Sequence, residues 1–173
     1  MEENTKKVKL DTQLVKDLWS ENDKLVLKAI QRLKSIGNIQ YLPELLRLLN
    51  QTDSETVEKE LVLFLADIKD PAAMTGILAG LRDPALNTAR GNIVSICWQS
   101  GMDYSRELDL FIRLFVEGDY RTALECFTVI EEAVFDMEDA DIEKLRKQML
   151  GGLEKVSEEK KPLASELVKL LEI

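Results

Sequence analysis

An apolar helical pattern recurs in this chain at an interval of 32 residues. In segment 25–36 the apolar residues follow a 4-4-3 spacing, which places them on one face of an α-helix. The same spacing returns twice, and only Ser100 interrupts its apolar character. The three sets are Leu25, Ala29, Leu33 and Ile36; Val57, Leu61, Leu65 and Ile68; and Ala89, Ile93, Cys97 and Ser100. This period predicts stacked helical repeats, because a short amphipathic helix needs a neighbour to bury its apolar face.

A second amphipathic helix is predicted after each of these three helices. Its buried positions in successive repeats are Leu45, Leu46 and Leu49; Ile77, Leu78 and Leu81; and Phe111, Ile112 and Phe115. Gly37 and Gly101 share the same offset after the first helix, where glycine favours the left-handed conformation that ends a helix. An aspartate precedes each new first helix, where its carboxylate can accept hydrogen bonds from free backbone N–H groups. These aspartates are Asp23, Asp53, Asp83 and Asp119.

Four helical hairpins are therefore predicted, with one helix before them and one after. The hairpins span about 21–51, 54–82, 85–118 and 120–156, and the flanking helices span about 12–19 and 157–171. The predicted inward residues of the fourth hairpin and the last helix are Ala123, Phe127, Ile130 and Val134, and Leu163, Leu167, Leu170 and Leu171. No change in composition divides the chain, so a single domain over 1–173 is predicted.

The composition restricts the chemistry available to this chain. It contains no histidine, which removes the commonest general base and excludes Ser-His-Asp and Cys-His catalysis. A net charge of −9 disfavours nucleic-acid binding, which usually needs a basic surface. Cys97 and Cys126 lie in apolar helical segments and are predicted to be buried thiols in a reducing compartment.

The hydropathy of the chain predicts a cytoplasmic protein without a membrane partner. No apolar segment approaches the roughly 20 residues that a membrane-spanning helix needs. The N-terminal stretch "MEENTKKVKL" also lacks the apolar segment of a signal peptide.

The first hairpin contains a motif in which "AIQRLKSIG" ends one helix and "PELLRLL" begins the next. This motif resembles a HEAT repeat, and in particular the short bacterial HEAT-like repeats first noticed in phycobilisome lyases. The second hairpin departs from this motif in two ways. Lys69 replaces the glycine, and the proline of this hairpin, Pro71, lies at the start of its second helix and not at the position that corresponds to Pro43. The resemblance covers about 14–156. Ankyrin and tetratricopeptide repeats have similar lengths, but their signature sequences are absent.

The resemblance implies an all-α fold, a right-handed α-α superhelix of about four hairpins with a capping helix at each end. First helices would line the convex side and second helices the concave side, which is the usual binding surface of this family. The resemblance and the absence of a catalytic motif together favour a non-catalytic scaffold or adaptor, without cofactor or metal, that binds a peptide or protein on the concave face.

Helical geometry predicts which side chains of the second helices point away from the core. The candidate partner-binding residues are Glu44, Arg47, Gly76, Ala79, Arg106, Arg113, Glu117, Lys144 and Lys147. Gly76 and Ala79 are predicted to leave a shallow floor between Arg47 and Arg113, which would lie about 20 Å apart at ordinary helix spacing. Two guanidinium groups beside such a groove would suit a peptide with acidic groups. The alternative is an ordinary solvated helix face with scattered charges.

The acidic stretch "EEAVFDMEDADIE" over 131–143 and a nearby aromatic pair each allow two interpretations. The acidic residues could bind calcium, but the EF-hand order is missing, so an acidic turn before a helix N-terminus is favoured. Trp98 and Tyr104 could anchor a partner or cover the core at the third turn, and the latter is favoured.

Two enzymatic functions remain as alternatives to the adaptor. A DNA-repair glycosylase acting on alkylated bases would need a basic concave face and an aromatic pocket, which the charge and the tryptophan positions oppose. A phycobilin lyase is suggested only by the name of the repeat family, because the chain has no tetrapyrrole-handling motif.

Overall fold

The computed structural model describes residues 10–37 and 39–172. These residues form α-helices and short 3-10 turns without any strand, which confirms the all-α prediction. None of the helices in this part of the chain combines the length and the hydropathy needed to cross a bilayer. The helices are α1 Thr12–Leu18, α2 Asp23–Ile36, α3 Leu42–Gln51, α4 Glu55–Asp67, α5 Pro71–Arg82, α6 Arg90–Ser100, α7 Leu108–Glu117, α8 Tyr120–Val134, α9 Asp139–Gly152 and α10 Lys161–Leu170.

The chain divides into two compact units, unit 1 (Met1–Asn87) and unit 2 (Thr88–Ile173). In unit 1, α1 packs on α2, α2 packs on α4, and α3 packs on both α4 and α5. First helices therefore contact first helices, and second helices contact second helices, as expected for stacked hairpins. In unit 2, α8 packs on α6 and α7, α7 packs on α9, and α10 packs on α8 and α9. The single domain predicted over 1–173 stays a prediction.

The buried face of α2 differs from the prediction. Leu25 and Ile36 are 42% and 51% exposed, whereas Val26, Ile30 and Leu33 are buried with Ala29. At 100° per residue Leu25 lies about 90° from the centre of this buried face. The buried face of α2, which packs on α1 and α4, is therefore rotated about the helix axis by about 45° from the predicted face. The other two sets are mostly buried as predicted, including Ser100, whose hydroxyl donates to the Cys97 carbonyl oxygen.

Both glycines predicted to end helices do so, whereas only one of the four predicted aspartates caps an α-helix. Gly37 and Gly101 have φ angles of 66° and 61°, which confirms the two predicted left-handed helix stops. Asp119 caps α8 by accepting from the Thr122 backbone N–H at 2.8 Å. Asp83 caps only the 3-10 turn Pro84–Leu86.

Asp23 and Asp53, predicted as N-cap or turn residues, do not cap α2 and α4. Asn22 caps α2, and Ser54 caps α4 through its hydroxyl oxygen. Asp23 is the first residue of α2 rather than its cap, and its carboxylate accepts from the Ser54 hydroxyl at 2.6 Å. Competition between neighbouring polar residues explains the difference, because Asn and Ser cap helices as well as Asp does.

The C-terminal helices are shorter than predicted. α9 ends at Gly152, and two 3-10 turns, Leu153–Lys155 and Glu158–Lys160, precede α10. Phe127, predicted to face inward, is only half-buried. Leu167 and Leu171 are buried where α10 packs on its neighbours, while Leu163 and Leu170 are half-buried.

Lys160 ends α7 by satisfying its last carbonyl groups. The side chain is 2% exposed, and its Nζ donates to the carbonyl oxygens of Phe115, Val116 and Gly118 at 3.0, 2.8 and 2.6 Å. The final carbonyls of a helix lack partners within the helix, so a buried cation there satisfies both their hydrogen bonds and their partial negative charge. No pattern in the sequence had indicated this role.

Two glycines let α3 and α5 approach closely. A Cβ on Gly76 would lie 2.4 Å from Cδ2 of Leu42, and a Cβ on Gly80 would lie 2.8 Å from Cδ1 of Leu46. Both distances are far below ordinary van der Waals contact. The leucines of α3 therefore fill the space that side chains on these glycines would occupy.

Gly80→Val is expected to destabilise the protein by about 1–3 kcal/mol, because the added side chain overpacks the α3–α5 contact. Gly151→Val in α9 is the matched control, since nothing lies within 4 Å of a Cβ at that glycine. The control should change the free energy of unfolding by no more than about 0.5 kcal/mol. Urea denaturation of both variants measures the difference, and equal stability would contradict the packing argument.

Candidate functional site

A groove of about 540 Å³ runs between α3 and α5 on the surface of unit 1. Residues of the 3-10 turns Ile39–Tyr41 and Pro84–Leu86 also line it. Three of the candidate partner-binding residues line it, namely Arg47, Gly76 and Ala79. Glu44 does not line it. We call this surface the α3–α5 groove. It contains part of the faces of these two helices that were predicted to point away from the core.

The floor of the α3–α5 groove is apolar but less open at Gly76 than predicted. Leu42 and Leu46 lie against Gly76 and Gly80 and form part of the floor. Ala79 remains exposed. The small residues of α5 therefore bring α3 close. Because Leu42 and Leu46 are only 3% exposed, the apolar surface open to a partner comes from Ile39, Pro43, Ala72 and Ala79.

Arg47 and Asp83 place opposite charges on the walls of the groove. The side chain of Arg47 is 59% exposed, and its Nη1 donates to the Glu44 carboxylate at 3.0 Å. Glu44 also accepts from Nε1 of Trp19 at 3.2 Å, which holds the carboxylate beside Arg47. A guanidinium group has five N–H donors, so Arg47 keeps donors that can bind a second carboxylate.

The other candidate residues belong to unit 2. Arg113 and Glu117 are exposed on α7, and Arg106 is exposed in the 3-10 turn Ser105–Glu107. Lys144 pairs with Asp109 at 2.9 Å, and Lys147 pairs with Glu143 at 3.4 Å. The hydrogen bond from Lys144 to Asp109 raises the pKa of that lysine. The expectation that these residues share one surface with Arg47 stays a prediction.

Of the aromatic pair near the third turn, Tyr104 is buried and Trp98 is half-buried. Tyr104 is 3% exposed and its ring packs edge-on against Phe111, with 6.0 Å between centroids. Trp98 is half-buried and donates from Nε1 to the Glu125 carboxylate at 2.7 Å. The interpretation of Tyr104 as part of the core is supported by this packing.

The two cysteines are free and buried in unit 2. Burial raises the pKa of the Cys97 thiol to about 12, and it also raises the pKa of Cys126 well above its usual range. The Cys97 thiol donates to the Ile93 carbonyl oxygen at 3.4 Å. Thiolates are the reactive form of cysteine, so neither residue is prepared for nucleophilic chemistry.

The acidic stretch contributes to the start of α9 and does not form a metal site there. Asp139 and Asp141 lie in the first turn of α9, where carboxylates are stabilised by the helix dipole. Within the described ranges 10–37 and 39–172, no three acidic or cysteine side chains are arranged to hold a metal ion. The favoured interpretation as an acidic helix start agrees with this placement.

No family model, curated protein or solved structure matches the chain. The relation to HEAT-like repeats therefore stays a prediction.

Proposed function

We propose that the protein is a non-catalytic adaptor built from HEAT-like hairpins, and that the α3–α5 groove binds a peptide segment of a partner protein. The stacking of first helices on first helices and second helices on second helices within unit 1 supports a solenoid of the HEAT type. In such a solenoid the second helices form the concave side. The groove lies on the two second helices of unit 1, and this placement is the observation that carries the proposal.

The walls of the groove define the chemistry of the peptide. The accessible apolar residues Ile39, Pro43 and Ala79 suit aliphatic side chains, because burial of apolar surface supplies most of the driving force for association. The exposed guanidinium of Arg47 suits a carboxylate, which it can bind with two parallel hydrogen bonds. The proposed ligand is therefore a short apolar segment with an aspartate or glutamate next to the aliphatic residues.

Selection from a random peptide library on the immobilised protein tests this proposal. Enriched peptides are expected to combine aliphatic residues with an acidic residue. Ala79→Tyr, which fills the groove, is expected to weaken their binding at least about tenfold, a loss of about 1.4 kcal/mol of binding free energy. Fluorescence polarisation with a labelled peptide measures the affinity.

Two controls separate the groove from general effects of substitution. Thr75→Tyr adds the same ring to an exposed position of α5 that does not line the groove. Lys59→Glu on α4 is the control for Arg47→Glu, which should reduce the preference for acidic peptides. Both controls should keep wild-type affinity. Peptides that bind Ala79→Tyr as tightly as wild type would refute the groove as the binding site.

A further inference from the structure

A cavity of about 720 Å³ opens on unit 2, where α6 ends, the turn into α7 begins, and α8 gives way to α9. Residues from all these segments line it, so it is a product of the tertiary structure rather than of one helix. It is separate in sequence from the α3–α5 groove. Its volume is sufficient for a long side chain or a small organic molecule.

The rim of this cavity is strongly acidic. Two basic residues, Arg106 and Lys144, also line it, and Lys144 is already paired with Asp109. Among the described residues, Glu132, Asp136 and Glu138 form no ion pair with a basic side chain. The carboxylates on the rim are Asp103, Asp109, Glu132, Asp136, Glu138 and Asp141. The cavity therefore presents unneutralised negative charge to a ligand.

Part of the cavity wall is apolar. Trp98, Met102 and Met137 are half-buried along its wall. Tyr104 also lines it, and its hydroxyl oxygen is buried. That hydroxyl lies beside Cys97, another lining residue, and burial raises the pKa of Tyr104, so it stays a neutral hydroxyl.

The spacing of the carboxylates favours an organic cation over a metal ion as the ligand. A metal ion needs several oxygen ligands converging on one point, which the described carboxylates do not provide. Carboxylates distributed around an apolar wall suit an extended organic cation instead. Its apolar stem would contact the methionines and Trp98, and its charged end would face the acidic rim.

We propose that this cavity binds an alkylammonium or guanidinium group on an apolar stem, as found in lysine and arginine side chains and in polyamines. The rim carboxylates attract the charge, and the apolar side chains of Trp98, Met102 and Met137 contact the stem. This site differs from the α3–α5 groove in position and in the charge of its ligand, and it does not depend on the proposed adaptor function.

Isothermal titration calorimetry at about 50 mM salt tests the proposal, since low salt preserves the attraction of exposed charges. Spermidine probes free polyamines, and an acetylated, amidated Leu-Lys-Leu-Lys peptide probes lysine side chains. Saturable binding of one probe near 1:1 stoichiometry is expected, and the probe that binds identifies the source of the cation. The same peptide with acetylated lysines should not bind, because it has lost its charges.

Matched variants locate the binding. Glu132→Gln with Glu138→Gln is expected to weaken binding about tenfold, on the order of 0.7 kcal/mol for each exposed charge. Glu131→Gln with Glu154→Gln removes the same charge from exposed positions outside the cavity and should leave the affinity unchanged.

Three results would overturn the proposal. One is the absence of heat with both probes at low salt. Another is equal weakening by the two double variants. The third is competition by magnesium at the same concentration as spermidine, which would indicate a diffuse counterion atmosphere in place of a site for organic cations.

Discussion

Replacing Lys160 with methionine is expected to lower the free energy of unfolding by about 2–4 kcal/mol. Methionine retains most of the apolar stem but cannot donate to the three carbonyl oxygens that Nζ contacts. Those carbonyls belong to the end of α7 and the turn into α8, and they would lose their partner inside the protein. The loss exceeds that of a typical hydrogen bond because a charged donor serves three buried or partly buried acceptors.

Burial shapes the ionisation of this lysine as well as its packing. Desolvation lowers the pKa of Lys160, while the nearby charges of Glu159 and Asp119 oppose the decrease. The carbonyl dipoles at the end of α7 also favour the charged form. The residue is thus held by groups that compensate for its burial, and removing its amino group leaves these groups without their cation.

Lys155→Met is the matched control for Lys160→Met. It makes the same substitution five residues earlier, at an exposed lysine in the preceding 3-10 turn. Its expected effect is no more than about 0.5 kcal/mol. Trp98 is the only tryptophan left in a Trp19→Phe background, so its fluorescence reports on unit 2 during denaturation. A loss below about 1 kcal/mol for Lys160→Met would contradict the proposed role of the lysine.

The local patterns of the sequence predicted the helices and several of their ends. Apolar spacing located α8 from Tyr120 to Val134, and the glycines at 37 and 101 correctly predicted left-handed stops. These features depend on residues close together in the chain, where helical geometry links sequence and structure directly. The buried residues of the second helices were predicted correctly for the same reason, since each of these helices has three apolar residues on one face.

Features that depend on packing between helices could not be predicted from local sequence patterns. The buried face of α2 is rotated because α1 and α4 determine which side is covered, and Leu25 and Ile36 therefore lie outside it. Lys160 lies more than 40 residues from the carbonyls it contacts, and an isolated "EEKKP" segment reads as a solvated turn. Long-range contacts of this kind leave no periodic signal in a single sequence.

In the candidate surfaces, too, the features of a single helix were predicted, and the features that depend on contacts between helices were not. Helical geometry predicted that Arg47 and Ala79 point outward, and both line the α3–α5 groove. It also predicted an open floor at Gly76, although Leu42 of the neighbouring helix covers much of that space. The cavity of unit 2 depends on how the turn after α6 lies against α8 and α9. The acidic stretch was visible in the sequence, but its proximity to Tyr104 was not.

Phe111→Ala is expected to cost about 3–5 kcal/mol of stability, the usual range for removing a buried aromatic ring. Phe111 is fully buried in α7, and its ring meets the Tyr104 ring edge-on. The substitution removes apolar contacts and leaves a cavity that the surrounding helices can close only in part. It also withdraws support from Tyr104, which lines the proposed cation site.

Phe135→Ala provides the matched comparison because Phe135 ends α8 with 69% of its surface exposed. The same change of side chain there should alter stability by no more than about 0.5 kcal/mol. Denaturant titration monitored through Trp98 measures both variants. Similar losses for the two would mean that the ring of Phe111 contributes little to the core of unit 2, and the packing described around Tyr104 would then be wrong. A large loss confined to Phe111→Ala would show that its buried ring stabilises the core of unit 2.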